Sequence, residues 1–402
     1  MSAWPAIDGR LAVPVAFAWA VLAVSVTFPH ALTVLAVSSW VLAGAGATLA
    51  VAVTRWRRLV TAASVACAIA ALLLTSAAAQ SPQRSPVMLQ EAAEAGRHVR
   101  VELVLDEATD ADSERVRGTI VSATVADARL ERIEVPVAVF DFSTHGGCCE
   151  LWSTVSLAGT LRVTEPGDGA AFLFFARGTA NEVRGPPWFL HWANEVRSGF
   201  SATTATLPGD GGDLLSGLAI GDTSAVSDTL DQAMIDTALS HLTAVSGANC
   251  AVVVGLVMAL CSALGLSRRV RVGVSLLTLL GFVVLVTPDA SVVRAATMAT
   301  VVLLSLGSGR PARGVPVLAL AVAVLLMVDP WWCRSFGFVL SVLATAGLLV
   351  LAPVLAGALE RWMPSPLALV LAVPLAAQLA CQPVLILLTP AIPVYGVVAN
   401  VL

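Results

Sequence analysis

Residues 31–54 read ALTVLAVSSWVLAGAGATLAVAVT, an apolar stretch without a single charged side chain. About 20 apolar residues in an α-helix cross the hydrocarbon core of a bilayer, so this stretch predicts a membrane span. Two more long runs flank it, at residues 11–28 and 59–79, whereas a cleaved signal peptide has one short apolar core. Over the whole chain 57% of residues are apolar and 12% are charged. The sequence therefore predicts a polytopic α-helical membrane protein.

A polar region interrupts the apolar runs and divides the chain into four expected parts. These are three transmembrane helices in residues 1–79, a small β-domain in 80–185, an interfacial linker helix in 186–210, and a second transmembrane bundle in 211–402. The second bundle begins with an amphipathic helix predicted at 224–240. Its predicted spans are 242–267, 272–288, 290–309, 314–328, 335–359, 366–389 and a further segment from 391. We expect Pro-rich residues 364–393 to be broken and the bundle to be truncated at Leu402.

The polar region has the alternation of a β-structure. Ile133, Val135, Val137 and Val139 are separated by single residues, the period of a half-buried strand. Further strands are predicted at 98–105, 117–125, 151–163 and 171–176, with Asp, Gly and Thr turns between them. Five short strands in about 90 residues predict a small all-β barrel or sandwich.

The distribution of charge predicts how the parts are oriented. Residues 80–210 contain 11 arginines and 18 acidic residues, a net charge of −7. The other 12 arginines lie in the membrane parts, and ten of them fall between spans. Short positively charged loops stay in the cytoplasm, and every such loop falls on one side if Arg10 is cytoplasmic. The N-terminus is then cytoplasmic and the β-domain extracytoplasmic.

Cys148 and Cys149 are the two cysteines in the polar region, and they are adjacent. No second cysteine pair occurs at zinc-finger spacing, so we expect no metal site and no cofactor. A strained disulfide between the two neighbours, or a bond to another chain, remains open.

Two polar stretches lie at the start of the second bundle. Residues 207–223, LPGDGGDLLSGLAIGDT, are glycine-rich, and residues 240–249, SHLTAVSGAN, place polar groups directly before an apolar run. Polar, unwound backbone is tolerated at membrane depth only where protein or water surrounds it. The two stretches therefore predict a gate or a binding site.

These stretches and three later ones resemble the motifs of the ComEC-type competence family. The first two motifs are GLAIGDT at 217–223 and SHLTAVSGAN at 240–249. DASVVRAATMA at 289–299 is similar to a third family segment, and DPW at 329–331 together with GFVLS at 337–341 is similar to a fourth. Ala377-Gln378 and Asn400 fall where the family has two later pairs of residues. The resemblance covers residues 200–402 closely and the preceding part by layout alone.

The resemblance implies a plasma-membrane channel through which one strand of DNA enters the cell during natural transformation. It also implies an OB-like fold for the β-domain and, as partners, single-stranded DNA, the lipid bilayer, a DNA receptor and a cytoplasmic helicase. A homo-oligomer is a further alternative. The family's metallo-β-lactamase-like domain and its His-Xaa-His-Xaa-Asp-His cluster are absent from these residues, so we expect no enzymatic activity. The acidic β-domain argues against holding DNA by charge alone.

Arg294 is the leading candidate for the DNA path. It lies five residues into an apolar run, where an arginine costs about 2.5–3.5 kcal/mol on insertion scales. It is expected to snorkel outward, to pair with Asp222 or Asp289, or to face a wet pore. Asn249, His241, Gln378 and Gln382 are further candidate donors, and the two glutamines stand one helical turn apart.

Three candidates have alternative structural roles. Asp222 could line the path or cap the helix that is expected to start near Ser224. Gly247 either permits close helix packing or breaks a helix. Ser246 and His241 suggest an intramembrane hydrolase, but five residues on a helix turn them through about 500° and align them poorly. A secondary transporter for a small solute or ion is the second functional hypothesis.

Overall fold

The computed structural model describes residues 9–53, 55–106, 115–126, 128–143, 150–207, 209–222, 226–236, 247–286, 290–309 and 313–388. The helices in these ranges are α1 (Ala12–Ser25), α2 (Leu32–Ala52), α3 (Arg57–Arg84), α4 (Val87–Glu94), α5 (His191–Thr204), α6 (Asp210–Ile220), α7 (Asp228–Asp236), α8 (Gly247–Ala263), α9 (Arg268–Leu285), α10 (Ala290–Gly307), α11 (Gly314–Val328), α12 (Phe336–Leu359) and α13 (Ser365–Leu388). Short 3-10 helices occupy Pro29–Ala31 and Pro330–Arg334.

Four helical segments of the described residues are long and apolar enough to cross a membrane. They are Pro29–Ala52, α3, α12 and α13, and four shorter apolar helices lie at α1, α8, α10 and α11. All of them coincide with predicted spans. The break expected within residues 364–393 does not occur up to residue 388, because α13 continues unbroken through Pro374 and Pro383; residues 389–393 lie outside the described range. Each proline removes one backbone hydrogen bond, and a helix in an apolar bundle tolerates that loss where its neighbours support it.

Helix α3 extends past its predicted end at residue 79. Its polar last turns are anchored to the end of α11, since Ser76 Oγ donates to the Met327 carbonyl at 2.6 Å and Gln80 Nε2 to the Val328 carbonyl at 3.1 Å. A helix of 28 residues is about 42 Å long, more than the roughly 30 Å of a bilayer core. The C-terminal turns of α3 therefore extend beyond the apolar layer toward the β-domain.

Between the helices lies a sheet of six strands, β1 (His98–Leu105), β2 (Arg115–Val125), β3 (Ala128–Phe140), β4 (Thr154–Val163), β5 (Phe172–Ala176) and β6 (Asn181–Arg184). The strand order is β1-β2-β3-β5-β4-β6, and β1 also pairs with β4, so the first five strands close into a barrel. The β3–β5 pair is parallel and the other pairs are antiparallel. The five predicted strands are confirmed, whereas β6 was missed because its four side chains are all exposed and show no alternation.

The barrel contacts the helical bundle through the loop between β4 and β5. Trp331 Nε1 donates to the Pro166 carbonyl at 3.0 Å, and Arg84 donates to the Asp168 carbonyl at 2.7 Å. The Arg84 guanidinium also stacks on the Trp331 ring, 4.3 Å from its centroid. Burial raises the pKa of the neighbouring Asp329. The positive charge of Arg84 and the hydrogen bond from the backbone N–H of Trp331 partly oppose that rise. The outer end of α3 and the turn after α11 thus share one contact surface with the barrel.

Candidate functional site

The two polar stretches at the start of the second bundle meet in the structure. Helix α6 ends at Gly221, whose φ of +79° is the left-handed conformation that glycine adopts without strain. Asn249, in the first turn of α8, donates from Nδ2 to the Leu218 carbonyl of α6 at 3.0 Å. The two motifs are thereby joined through a side-chain amide and a backbone carbonyl, although 31 residues separate the partners.

Arg294 is buried in the bundle, with 7% of its surface exposed. Its Nε donates to the hydroxyl of Ser341 on α12 at 2.9 Å, and its Nη1 contacts the sulfur of Met298 at 3.5 Å. Both partners are neutral, and the described residues show no ion pair with a carboxylate at Arg294. Its side chain therefore stays inside the bundle rather than snorkelling outward.

Gly247 packs directly against the helix that carries Arg294. A Cβ atom on Gly247 would lie 3.0 Å from Ala295 Cβ and 3.6 Å from Arg294 Nη2. The first residue of α8 thus approaches α10 as closely as a residue without a side chain allows. Together with Ser341, this contact makes Arg294 the point at which α8, α10 and α12 meet.

Asp222 lies just beyond α6 and contacts α5. Its Oδ2 accepts a hydrogen bond from Ser201 Oγ of α5 at 2.9 Å. The helix expected near Ser224 begins at Asp228 among the described residues, and the Leu230 N–H points to Ser227 Oγ at 3.4 Å. Residues 223–225 lie outside the described range, so the capping role of Asp222 stays a prediction.

Arg197 of α5 links the β-domain to the end of α9. Its Nε and Nη2 donate to the carbonyls of Leu285 and Val284, each at 2.7 Å, and its Nη1 donates to Asn194 Oδ1 at 2.6 Å. Burial lowers the pKa of Arg197, and the negative charge of Asp222 opposes that change. A guanidinium at this position neutralises the carbonyl end of the helix dipole.

Gln378 and Gln382 face the same side of α13, as their spacing predicts. Gln378 Nε2 donates to Gln382 Oε1 at 2.6 Å, so the pair forms one polar patch on an apolar helix. Cys381, between them in sequence, directs its thiol to the Leu340 carbonyl of α12 at 3.5 Å. Close packing of the two helices continues at Gly347, where a Cβ would lie 2.8 Å from the Ala376 carbonyl oxygen.

His241, Ser246, Cys148, Cys149 and Asn400 lie outside the described residues. The hydrolase hypothesis and the proposed cysteine pairings therefore stay predictions. Within the described ranges, no group of three or more His, Cys, Asp or Glu side chains could hold a metal ion.

Two residues of the site were not singled out from the sequence. Ser341 is the last residue of the GFVLS segment, but its partner is 47 positions away in the chain. Arg197 follows Asn194 by three residues on an amphipathic helix, a spacing that indicates a shared face. Both residues bond to partners on other helices, and neither periodicity nor charge in the sequence reveals such contacts.

The motifs that converge here also decide the comparison with known proteins. Residues 218–402 match the model of the family described as Competence protein. No curated protein and no solved structure matches the chain. Residues 218–402, which hold Leu218, Asn249, Arg294 and Ser341, are thus a Competence protein family domain, in agreement with the ComEC-type motifs that the sequence resembles.

Proposed function

We propose that this chain is a membrane channel component that conducts single-stranded DNA across the plasma membrane during natural transformation. The Competence family domain supports a role in competence and DNA uptake. One structural observation carries the finer proposal, namely the buried guanidinium of Arg294 at the meeting point of the family's motifs. Ionisable side chains within membrane bundles are costly and mark the routes of substrates and ions.

The chemistry of Arg294 suits a polyanion better than a neutral solute. Its contacts in the described residues are a hydroxyl and a thioether, neither of which neutralises its charge. A phosphodiester passing nearby would supply a negative charge, and guanidinium binds phosphate through paired hydrogen bonds. The amides of Asn249, Gln378 and Gln382 are further candidate contacts for the strand, although Asn249 and Gln378 already donate to Leu218 and Gln382.

The β-domain supports the same proposal through its architecture. A closed five-stranded barrel is the form of an OB-fold, a module that binds oligonucleotides and oligosaccharides, and we propose an OB-like fold here. We further propose that the barrel is extracytoplasmic and the N-terminus cytoplasmic. The positions of the arginine-rich loops predict that the C-terminal ends of α3, α9 and α11 are extracytoplasmic. These ends contact the barrel, the helix α5 that follows it, or one another.

We assign no catalytic step and no cofactor to these residues. A DNA receptor outside and a helicase in the cytoplasm are the proposed protein partners, and the helicase would supply the energy for movement. A secondary transporter is the second candidate, because the left-handed end of α6 beside Asn249 resembles the interrupted helices that hold solutes in such proteins.

Uptake of labelled DNA tests the proposal. In a competent strain, deletion of the gene should leave fluorescent double-stranded DNA bound at the cell surface but abolish its entry into the cytoplasm. Re-expression of the protein should restore entry. Unchanged cytoplasmic uptake in the deletion strain would refute the channel, and loss of a small solute instead of DNA would favour a transporter.

A further inference from the structure

The outer surface of the barrel carries an aromatic pair flanked by arginines. The strand register sets Arg115 opposite Phe140, and Phe140 opposite Phe175. The two phenylalanine rings stack at 5.5 Å between centroids with 20° between their planes. The Arg115 guanidinium lies over the Phe140 ring, 5.8 Å from its centroid.

These side chains point away from the barrel core. In β5 the alternate residues Phe172 and Phe174 are fully buried. Phe175, which lies between Phe174 and Ala176 and points to the other face, is half-buried. Phe140 ends β3 after the buried Val139 and is likewise half-buried. The stacked pair therefore presents apolar ring surface to solvent, although the barrel core does not need it.

Arginines surround the aromatic pair on the neighbouring strands. Arg162 lies opposite Leu173 on β4, and Arg177 follows β5 with its Nη1 3.4 Å from His98 Nε2. Arg115 and Arg162 are exposed, as is Arg177. We call Arg115, Phe140, Phe175, Arg162 and Arg177 the Arg–Phe strip.

The strip is locally basic within an acidic domain. Strands β2, β4 and β5 contain no acidic residue, and neither does the second half of β3 from residue 135 to 140. The acidic residues of the domain occur in other segments, including residues 106–114 just before β2 and Asp141 just after Phe140. The net charge of −7 therefore conceals a strip on these strands whose own charged side chains are arginines, with acidic residues at its borders.

We propose that the Arg–Phe strip binds single-stranded DNA on its way to the bundle, an inference that rests on the proposed channel function. Every unpaired base offers a π-face, and stacking on aromatic rings does not depend on sequence. The flanking guanidiniums neutralise the phosphates on either side of stacked bases. Arg115 can also stack on a base from its position above Phe140.

The strip selects single strands over duplexes. In a duplex the bases are already stacked and paired, so Phe140 and Phe175 meet only the sugar-phosphate backbone. The strip is also displaced from the surface of strands 2 and 3 that OB-folds generally use, because its aromatic pair spans β3 and β5.

The position of the strip relates it to the membrane domain. Arg162 and its partner Leu173 lie near the β4–β5 loop, whose backbone binds Arg84 and Trp331. The Arg162 end of the strip is therefore the end nearest to the contact between the barrel and the outer end of α3, while Phe175 and Arg177 lie toward the far end of β5.

Binding of a labelled oligonucleotide to the purified full chain tests the proposal. The probe is a fluorescent 15-residue oligothymidylate, followed by anisotropy with the protein in nanodiscs of neutral lipid. Phe140→Leu with Phe175→Leu keeps the surface apolar but removes both rings, and should weaken binding at least about fivefold. Arg162→Gln with Arg177→Gln should reduce the slope of log affinity against log salt by roughly 1.4, or 0.7 for each lost phosphate contact.

Arg129→Gln is the matched control. Arg129 lies on the same barrel away from the strip, 3.1 Å from Glu131, and its loss should leave the affinity unchanged. Far-ultraviolet circular dichroism and thermal unfolding establish that each variant keeps the fold. Equal binding of duplex and single strand, or unchanged affinity in the folded Phe140→Leu and Phe175→Leu variant, would overturn the proposal.

The channel and the strip can fail separately. Cells carrying the strip variants should take up less DNA but still some, because the bundle is intact. Normal oligonucleotide binding in a protein that conducts no DNA would support the strip and refute the channel. Normal DNA uptake by cells, together with no oligonucleotide binding by the wild-type protein, would support the channel and refute the strip.

Discussion

Arg294 Nε on α10 donates a 2.9 Å hydrogen bond to the hydroxyl oxygen of Ser341 on α12. The bond joins two family motifs inside an apolar bundle, and it provides an acceptor for a buried cation. A hydroxyl satisfies the donor without removing the positive charge. The pair therefore fixes the guanidinium in place and keeps it available to an anion.

Removal of the Ser341 hydroxyl should destabilise the bundle. Ser341→Ala leaves a buried cationic donor without its acceptor, which costs about 1–3 kcal/mol. Ser341→Thr keeps the hydroxyl and should retain most of the stability. Thermal unfolding in detergent measures both, and in an Arg294→Met background the Ser341→Ala change should cost much less. Equal effects of Ser341→Ala in both backgrounds would show that the two residues are not coupled.

A methyl group at Gly347 should separate α12 from α13. The added Cβ would lie 2.8 Å from both the Ala376 carbonyl oxygen and Ala380 Cβ, so the two helix backbones must move apart. We expect Gly347→Ala to cost about 1–3 kcal/mol. Gly337→Ala on the same helix is the control, because its Cβ meets nothing within 4 Å. Equal unfolding temperatures for the two variants would contradict the packing described here.

Replacement of Arg197 should loosen the connection between α5 and α9. Arg197→Gln loses the forked hydrogen bonds to Leu285 and Val284, each worth about 1.5–3 kcal/mol when the donor is charged. Arg197→Lys keeps the charge but not the fork, and should fall between glutamine and wild type. The rate of limited proteolysis in the segment after α5 measures the loosening. Arg184→Gln, at an exposed position, is the control variant. Identical digestion of all four proteins would refute this role.

The buried Asp329 should make stability depend on pH. Because burial raises its pKa in the folded protein, folding binds a proton, and stability falls as pH rises from about 4 through the raised value. Asp329→Asn keeps the oxygen that accepts from the Trp331 N–H but does not titrate. The difference in unfolding temperature, Asp329→Asn minus wild type, should therefore be larger at pH 7.5 than at pH 4.5. The exposed Asp141→Asn serves as control, and no difference between the two pH values would be contrary to expectation.

The sequence predicted the elements that follow from periodicity and charge. The 24 uncharged residues at 31–54 require a span, and the alternation from Ile133 to Val139 requires a strand with one buried face. The break expected within residues 364–393 does not occur in the described part of that stretch, since the support that neighbouring helices give to α13 outweighs proline preferences. The exposed strand β6 has no alternation to detect.

The site was only partly predictable for a physical reason. Arg294 stands out by itself, because a charge in an apolar run is costly wherever its partner lies. Ser341, Leu218 and Arg197 have ordinary local sequences, and their importance comes from packing between distant helices. The Arg–Phe strip was concealed by the net charge of the domain, which gives no information about which faces the charges occupy.

DNA uptake by cells that carry Arg294 variants tests the central proposal most directly. A competent strain without the native gene would express wild type, Arg294→Gln, Arg294→Lys or the control Arg269→Gln, with membrane insertion checked by immunoblot. Cytoplasmic fluorescence from labelled DNA should fall at least about tenfold for Arg294→Gln, equivalent to about 1.4 kcal/mol, and less for Arg294→Lys. Arg269→Gln should match wild type. Wild-type uptake by a normally inserted Arg294→Gln protein would contradict the account.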